Sequence, residues 1–342
     1  MRAGYLIEPR RVELRDVELP VAGPGSLVVR VRAALTDGTD LKTYRRGHWL
    51  MPMPTRFGHE FSGDVAAVGA GVSAFSEGDA IMMVQSAPDG TCFWCMRGQE
   101  ELCETLVSTM IFGAYAEYIL VPPHIVARNA YKKPANLSYE AAAFLEPVSC
   151  VVHSLEALAP KRGDIVAIVG DGGFGILHAL VALARGARPI LIGRRPARLE
   201  LARSLGVNAI VNAKDGDPIA ALRERTSGRG ADAVIETTGA LEVWEAAPQY
   251  VRRGGTVVLF GGLPGETRVA FDAARLHYDE VKLTSPFHFT PRDVRAAYDL
   301  LAEGAIDVVP LISERFKLDQ LVDAFARLDE DRGINIKFAI LG

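Results

Sequence analysis

Gly170-Asp171-Gly172-Gly173-Phe174-Gly175 is the segment whose residue types and spacing most directly imply chemistry. It follows the apolar run Asp164–Val169 without a break and opens a helical pattern, the setting in which G-x-G-x-x-G cradles a dinucleotide pyrophosphate. Gly170 permits the tight turn, Gly172 lets phosphates approach the backbone, and Gly175 lets the helix pack close to the strand. The helix opening through Gly173 and Phe174 turns its free N–H groups and dipole toward the anion. About twenty residues on, where a carboxylate would accept hydrogen bonds from a ribose 2′-hydroxyl, the chain carries Gly193-Arg194-Arg195. Without that carboxylate a 2′-phosphate is not repelled, and two guanidiniums can bind it through charge-assisted hydrogen bonds. The pattern predicts NADP(H) in preference to NAD(H). The alternatives are a glycine turn without a ligand and a solvated arginine pair at a helix start.

A second cluster is made of cysteines. Three of the four, Cys92, Cys95 and Cys103, fall within twelve positions, a spacing better suited to a metal site than to an extracellular disulfide framework. Cys150 stands alone in an apolar run and reads as a small buried hydrophobe. His48, His124, His153, His178, His277 and His288 lack the spacing partners a ligand would need.

These residues need elements to position them. Up to about residue 150 the chain shows short β-type runs at 27–31, 65–68, 80–84 and 116–121, punctuated by Gly, Pro and Asp. From about residue 152, strands at 165–169, 189–192, 209–211, 233–236, 256–260 and 281–284 are apolar on both faces and alternate with amphipathic helices at 176–185 and 196–205. That alternation predicts an α/β, doubly wound parallel sheet. Helical patterns at 293–303 and 318–328 and apolar stretches at 308–313 and 336–341 close the chain, and this tail is expected to pack back on the amino-terminal domain. The chain has 342 residues, a formal net charge of −4 and 49% hydrophobic residues. Two domains and a sizeable core follow, collagenous or disordered chains are excluded, and no basic block invites nucleic acid or an anionic membrane. The amino terminus shows no signal-peptide core and no window reads as a membrane span, so a cytoplasmic protein acting on a small molecule is expected.

Asp37-Gly38-Thr39-Asp40, Gly58-His59-Glu60-Phe61-Ser62-Gly63, Cys92-x-x-Cys95 with Cys103, Glu146-Pro147 and then the glycine fingerprint succeed one another in an order that resembles the zinc-containing medium-chain alcohol and polyol dehydrogenases. The resemblance spans essentially the whole chain, and the sorbitol, threonine and glucose dehydrogenases are the branches it looks most like. It implies a mostly-β, GroES-like catalytic domain over 1–151 with 288–342 and a Rossmann domain over 152–287. It implies a catalytic zinc at His59, Glu60 and Glu146, with Asp37 in the position where the family has cysteine. Carboxylate is an acceptable though harder zinc ligand. A turn with a core histidine and an Asx turn at Asp37 are the plainer readings. A structural zinc would use Asp89, Cys92, Cys95 and Cys103, making two zinc ions per chain, with Asp89 at another position that is cysteine in the family. Thr39 would pass the substrate proton onward, and Lys42 stands where the family often has a relay histidine. The implied activity is hydride transfer between NADP(H) and a secondary alcohol or ketone of a polyol, sugar or cyclitol, by a homodimer or homotetramer. Threonine or a small secondary alcohol as substrate, a metal-free quinone or enone reductase, and a non-catalytic nucleotide-binding protein are the alternatives.

Overall fold

The structure, a computed structural model, describes residues 1–49, 51–331 and 333–342. The chain divides into two compact units, Met1–Ser149 with Phe289–Gly342, and Cys150–His288. The first contributes strands β1 (Arg2–Glu8), β2 (Arg11–Asp16), β3 (Leu27–Leu35), β4 (Thr55–Arg56), β5 (Glu60–Val68), β6 (Ala80–Met83), β7 (Tyr118–Val121) and β8 (Ala130–Lys132). The second contributes β9 (Ile165–Val169), β10 (Arg188–Gly193), β11 (Ala209–Asn212), β12 (Ala231–Glu236), β13 (Val251–Leu259) and β14 (Lys282–Thr284), and the chain returns to the first with β15 (Ile312–Lys317) and β16 (Lys337–Leu341).

In the first unit the larger sheet has the order β15-β16-β3-β5-β6-β8, with β7 on β3, beside a small sheet β2-β1-β4. β3 is almost entirely buried, because its long apolar run is covered on both faces. Phe57, Phe61, Tyr115, Phe325 and Phe338 are buried in the same core, where Phe57 and Tyr115 meet edge to face with centroids 5.6 Å apart. β5 begins at Glu60, earlier than the apolar pattern at 65–68 suggests. Its first residues include Glu60 and Ser62, both fully buried, so polar side chains on the inner face mask the strand period.

In the second unit the sheet runs β11-β10-β9-β12-β13-β14 with every pair parallel. Its strands are apolar on both faces because a parallel sheet is covered by helices on each side. The helix Gly173–Ala184 buries most of its length. The helix Pro196–Ser204 opens with proline at its first turn, where the missing N–H goes unneeded.

The helical run Tyr139–Leu158 is long and apolar enough, by length and composition, to cross a membrane. Glu140, Glu146 and Glu156 interrupt its apolar residues. Buried inside the protein over 72% of its most apolar window, it serves as a core helix.

Candidate active site

Strand register gathers the implied metal ligands. β3 runs antiparallel to β5 with Leu35 opposite Glu60, and antiparallel to β16 with Ala339 opposite Leu35. The chain leaving β3 through Thr36 and Asp37 therefore lies beside His59, which leads into β5, and beside Lys337, which begins β16. Thr36 ties this corner down. Its N–H donates to the Phe338 carbonyl and its hydroxyl oxygen accepts the Phe338 N–H, both at 2.9 Å. Asp37 then caps the helix Gly38–Arg46. Its Oδ1 accepts the Asp40 N–H at 2.8 Å while Asp40 Oδ2 accepts the Asp37 N–H at 3.3 Å, a reciprocal capping box. The turn reading and the ligand reading of Asp37 are compatible. Oδ1 serves the cap, and Oδ2 lies 3.9 Å from His59 Nε2.

The surrounding electrostatics are unusual for a protein interior. Asp37, Asp40, Glu60 and Glu146 are all buried, against two basic groups, His59 and Lys337, also buried. Glu60 holds Lys337 Nζ at 2.6 Å through both carboxylate oxygens, and Nζ also donates to the Thr36 carbonyl at 3.1 Å. Glu146 Oε1 accepts from Gln85 Nε2 at 2.8 Å. Burial opposes the charge on Asp37, but His59 and Lys337 outweigh it and hold the carboxyl below its ordinary range. Burial likewise opposes the charge on His59, yet Asp40 and Asp37 raise the imidazole well above its usual value. Burial pushes Glu146 up, and it pushes Glu60 up against the pull of Lys337. Burial also opposes the charge on Lys337, which Glu60 and Asp37 nevertheless keep protonated. Fully ionised, this set carries an excess of two negative charges. With His59 neutral, as a metal-bound imidazole must be, the excess is three, and a divalent cation would offset most of it directly.

Among the described residues, candidate ligand atoms of Asp37, Asp40 and His59 lie within 4.8 Å of one another, as do those of His59, Glu60 and Glu146. The two groups share His59. Its Nδ1 and the Oδ1 of Asp40 face each other at 3.3 Å, both buried and lacking an aligned hydrogen bond. One imidazole nitrogen thus faces the Asp40 carboxylate while the other faces Asp37, close to the disposition of a metal-ligating histidine. A nitrogen and several oxygen donors with imperfectly paired buried atoms fit a divalent metal.

The cysteine lobe forms a third convergent group, with ligand atoms of Asp89, Cys92, Cys95 and Cys103 within 4.8 Å of one another. Asp89 Oδ1 accepts the N–H groups of Thr91 at 2.7 Å and Cys92 at 2.9 Å, and the Asp89 N–H points at Cys103 Sγ at 3.3 Å. Those backbone bonds hold the Asp89 carboxyl far below its usual range. Cys92 and Cys95 place their sulfurs 3.5 Å apart. Burial pushes the Cys95 thiol up to about 12, whereas backbone hydrogen bonds at Cys95 and Glu104 lower Cys92. Three thiols and a carboxylate suit a closed tetrahedral site.

In the second unit the fingerprint bridges β9 and the helix Gly173–Ala184. Gly170 has φ +126°, and a Cβ on Gly175 would lie 1.8 Å from the Gly170 carbonyl oxygen, so side chains are excluded at both. A Cβ on Gly172 would meet nothing within 4 Å. That open cradle sits at a helix start whose N-cap makes no side-chain hydrogen bond, as phosphate binding there needs. Gly193 ends β10, followed by exposed Arg194 and half-buried Arg195.

Residues 23–133 match the alcohol dehydrogenase GroES-like domain family and residues 173–303 the zinc-binding dehydrogenase family. Sorbitol dehydrogenase of Bacillus subtilis is 29% identical over 96% of this chain and 93% of its own. L-threonine 3-dehydrogenase of Pyrococcus furiosus is 31% identical over 92% of this chain and 90% of its own. This chain belongs to the zinc-containing medium-chain alcohol dehydrogenase family. A solved structure from Sinorhizobium meliloti, by its description a zinc-binding dehydrogenase bound to NADP, superposes on this dehydrogenase with a TM-score of 0.91. It is 31% identical and covers 100% of this chain and 99% of its own. The dehydrogenase is an α/β oxidoreductase with a GroES-like part and a Rossmann sheet.

Several residues of this dehydrogenase's site escape a reading of its sequence. Lys337 lies 277 positions from Glu60, and a lysine near an apolar segment reads as a solvated flank. Gln85 and Tyr115, whose hydroxyl donates to Asp40 Oδ2 at 2.6 Å, stand in no recognised motif. Asp40 was visible as the last residue of Asp37-Gly38-Thr39-Asp40, and its spacing from Asp37 is that of a capping box. Asp171 occupies a variable place in the fingerprint, which gives no hint that its side chain turns inward.

Proposed function

We propose that this dehydrogenase is a zinc-dependent oxidoreductase transferring hydride between NADP(H) and a secondary alcohol or ketone of a polyol, sugar or cyclitol. The observation that supports this reading is a pair of buried ligand groups that share His59, one with Asp37 and Asp40 and the other with Glu60 and Glu146, in an acidic corner that a divalent cation would help neutralise. Met1–Ser149 with Phe289–Gly342 is the catalytic part and Cys150–His288 the dinucleotide-binding part. Asp37, His59 and Glu146 would hold the metal, while Glu60 stands behind them on Lys337. Zinc bound there supplies Lewis-acid polarisation of an alcohol or carbonyl oxygen. Asp40 orients His59, and Gln85 orients Glu146. Thr39, in the first turn of the helix that Asp37 caps, carries the substrate proton outward, with exposed Lys42 one turn further along. Glycines 170, 172, 173 and 175 with Phe174 bind the pyrophosphate, and Arg194 and Arg195 receive the 2′-phosphate. Asp89, Cys92, Cys95 and Cys103 hold a second, structural zinc.

The NADP bound by the Sinorhizobium relative supports the cofactor, and the sorbitol and threonine dehydrogenases support a hydroxyl-bearing polar substrate. The test is elemental analysis of the purified protein together with NADP⁺ and NAD⁺ reduction on a panel of polyols, sugars, cyclitols, threonine and simple alcohols. Two zinc ions per chain, with one metal and all turnover lost in Asp37→Ala, is the expected result. Turnover indifferent to Asp37 in metal-free protein would transfer the activity to a metal-free quinone or enone reductase. NADPH binding with no turnover of any compound would leave a nucleotide-binding protein.

A further inference from the structure

Asp171 behaves unlike a residue in a variable loop position. It is only 3% exposed, and each carboxylate oxygen is committed. Oδ2 accepts the backbone N–H groups of Arg194 and Arg195, both at 2.7 Å, and Oδ1 accepts Arg195 Nη1 at 2.9 Å. The helix Pro196–Ser204 has Arg195 as an N-cap without a side-chain cap of its own, so Asp171 caps it from the neighbouring strand end. Gly193 completes the interlock: a Cβ there would lie 2.5 Å from Asp171 Cβ and 2.7 Å from Oδ2.

We infer that Asp171 is the positioning residue that sets this enzyme's preference for a 2′-phosphorylated cofactor, by holding the Arg195 guanidinium and the 193–195 backbone at the tip of β10. This inference rests on the cofactor reading above. The carboxylate closes the β10 tip to any side chain at 193, where an acidic group would otherwise accept the ribose 2′-hydroxyl. With the Arg194 and Arg195 N–H groups consumed, recognition of a 2′-phosphate falls to side chains. The ion pair fixes a 42%-exposed arginine that would otherwise sample many rotamers, and it leaves Nε and Nη2 as donors for phosphate oxygens. The buried negative charge also makes the unliganded corner less cationic, so the fork discriminates by geometry as well as by net charge.

The probes are adenosine 2′,5′-bisphosphate and 5′-AMP, titrated calorimetrically into the full chain without turnover. Wild type prefers the bisphosphate; absence of that preference defeats the cofactor reading itself. Given the preference, Asp171→Asn lowers bisphosphate affinity about tenfold, the scale of freeing one long side chain, and leaves 5′-AMP affinity unchanged. In an Arg195→Gln background the same substitution has no further effect on the bisphosphate. An unchanged affinity ratio, an equal loss of both ligands, or a gain in bisphosphate affinity overturns the inference. If Asp171→Asn does not fold, Arg195→Lys decides. It keeps the charge and loses the fork, so a lost preference supports positioning and a retained preference refutes it.

Discussion

Lys337→Met tests the electrostatics of the buried acidic corner around His59 most severely. Lys337 is 3% exposed and Glu60 fully buried, with Nζ 2.6 Å from both carboxylate oxygens. Removing one partner of such a pair strands the other's charge, at a cost of about 3–5 kcal/mol. Here Asp37 and Glu146 sit close by, so the deficit deepens when no cation is present. A domain of this size loses roughly 2–4 °C of melting temperature per kcal/mol, giving a drop of roughly 6–20 °C for the chelator-treated variant. The double variant Lys337→Met/Glu60→Gln removes the stranded charge and recovers most of that loss. The assay is thermal unfolding by circular dichroism, with and without chelator, on wild type, both single variants and the double. A Lys337→Met melting temperature within 2 °C of wild type, or a double variant no more stable than Lys337→Met, would refute the reasoning.

Three further outcomes are expected. Asp37→Cys replaces a hard ligand with a thiolate, so zinc competes better against a chromogenic chelator, whereas Asp37→Ala competes worse; the reverse order defeats Asp37 as a ligand. Buried His178 donates from Nδ1 to the Phe174 carbonyl at 2.6 Å and accepts from the Ser154 hydroxyl at 2.5 Å, and burial depresses its pKa from 6.5 to about 4. The unfolded chain therefore binds a proton that the folded one refuses, so this contribution is complete above pH 6.5 and falls between pH 6.5 and 4 by at most about 3 kcal/mol. His178→Gln should flatten the pH dependence of the urea midpoint across that window, and an unaltered slope would count against it. Asp89→Ala removes the acceptor for the Thr91 and Cys92 N–H groups, so the 89–105 lobe should lose bound metal and become a preferred site of limited proteolysis; an unchanged digestion pattern and metal content would contradict this.

Local features were the legible ones. Gly170 and Gly175 announce themselves because a tight turn and a close helix–strand contact each forbid a Cβ, and that restriction is written within six residues. The strands of the parallel sheet were readable from runs apolar on both faces. His59 and Asp37 were readable only as parts of motifs, since neither residue's spacing implies the antiparallel register that sets them side by side. Lys337 was hidden for a different reason: its burial depends on a partner 277 positions away and on two strand pairings, neither of which a one-dimensional pattern encodes. Glu60 and Ser62 obscured the start of β5, because buried polar side chains break the alternation by which strands are recognised.

The interlock between Asp171 and Gly193 also constrains the order in which this protein can change. A side chain at 193 cannot be accommodated while Asp171 occupies its present position, since even a methyl group would overlap the carboxylate-bearing carbon. Under the proposed NADP(H) reading, an exchange to a dinucleotide lacking the 2′-phosphate through an acidic residue at 193 is therefore inaccessible by one substitution. Residue 171 must shrink first, and that intermediate has already released the Arg195 fork. Directed libraries that vary 193 alone will return only glycine, while those that vary 171 and 193 jointly cross the valley in one step.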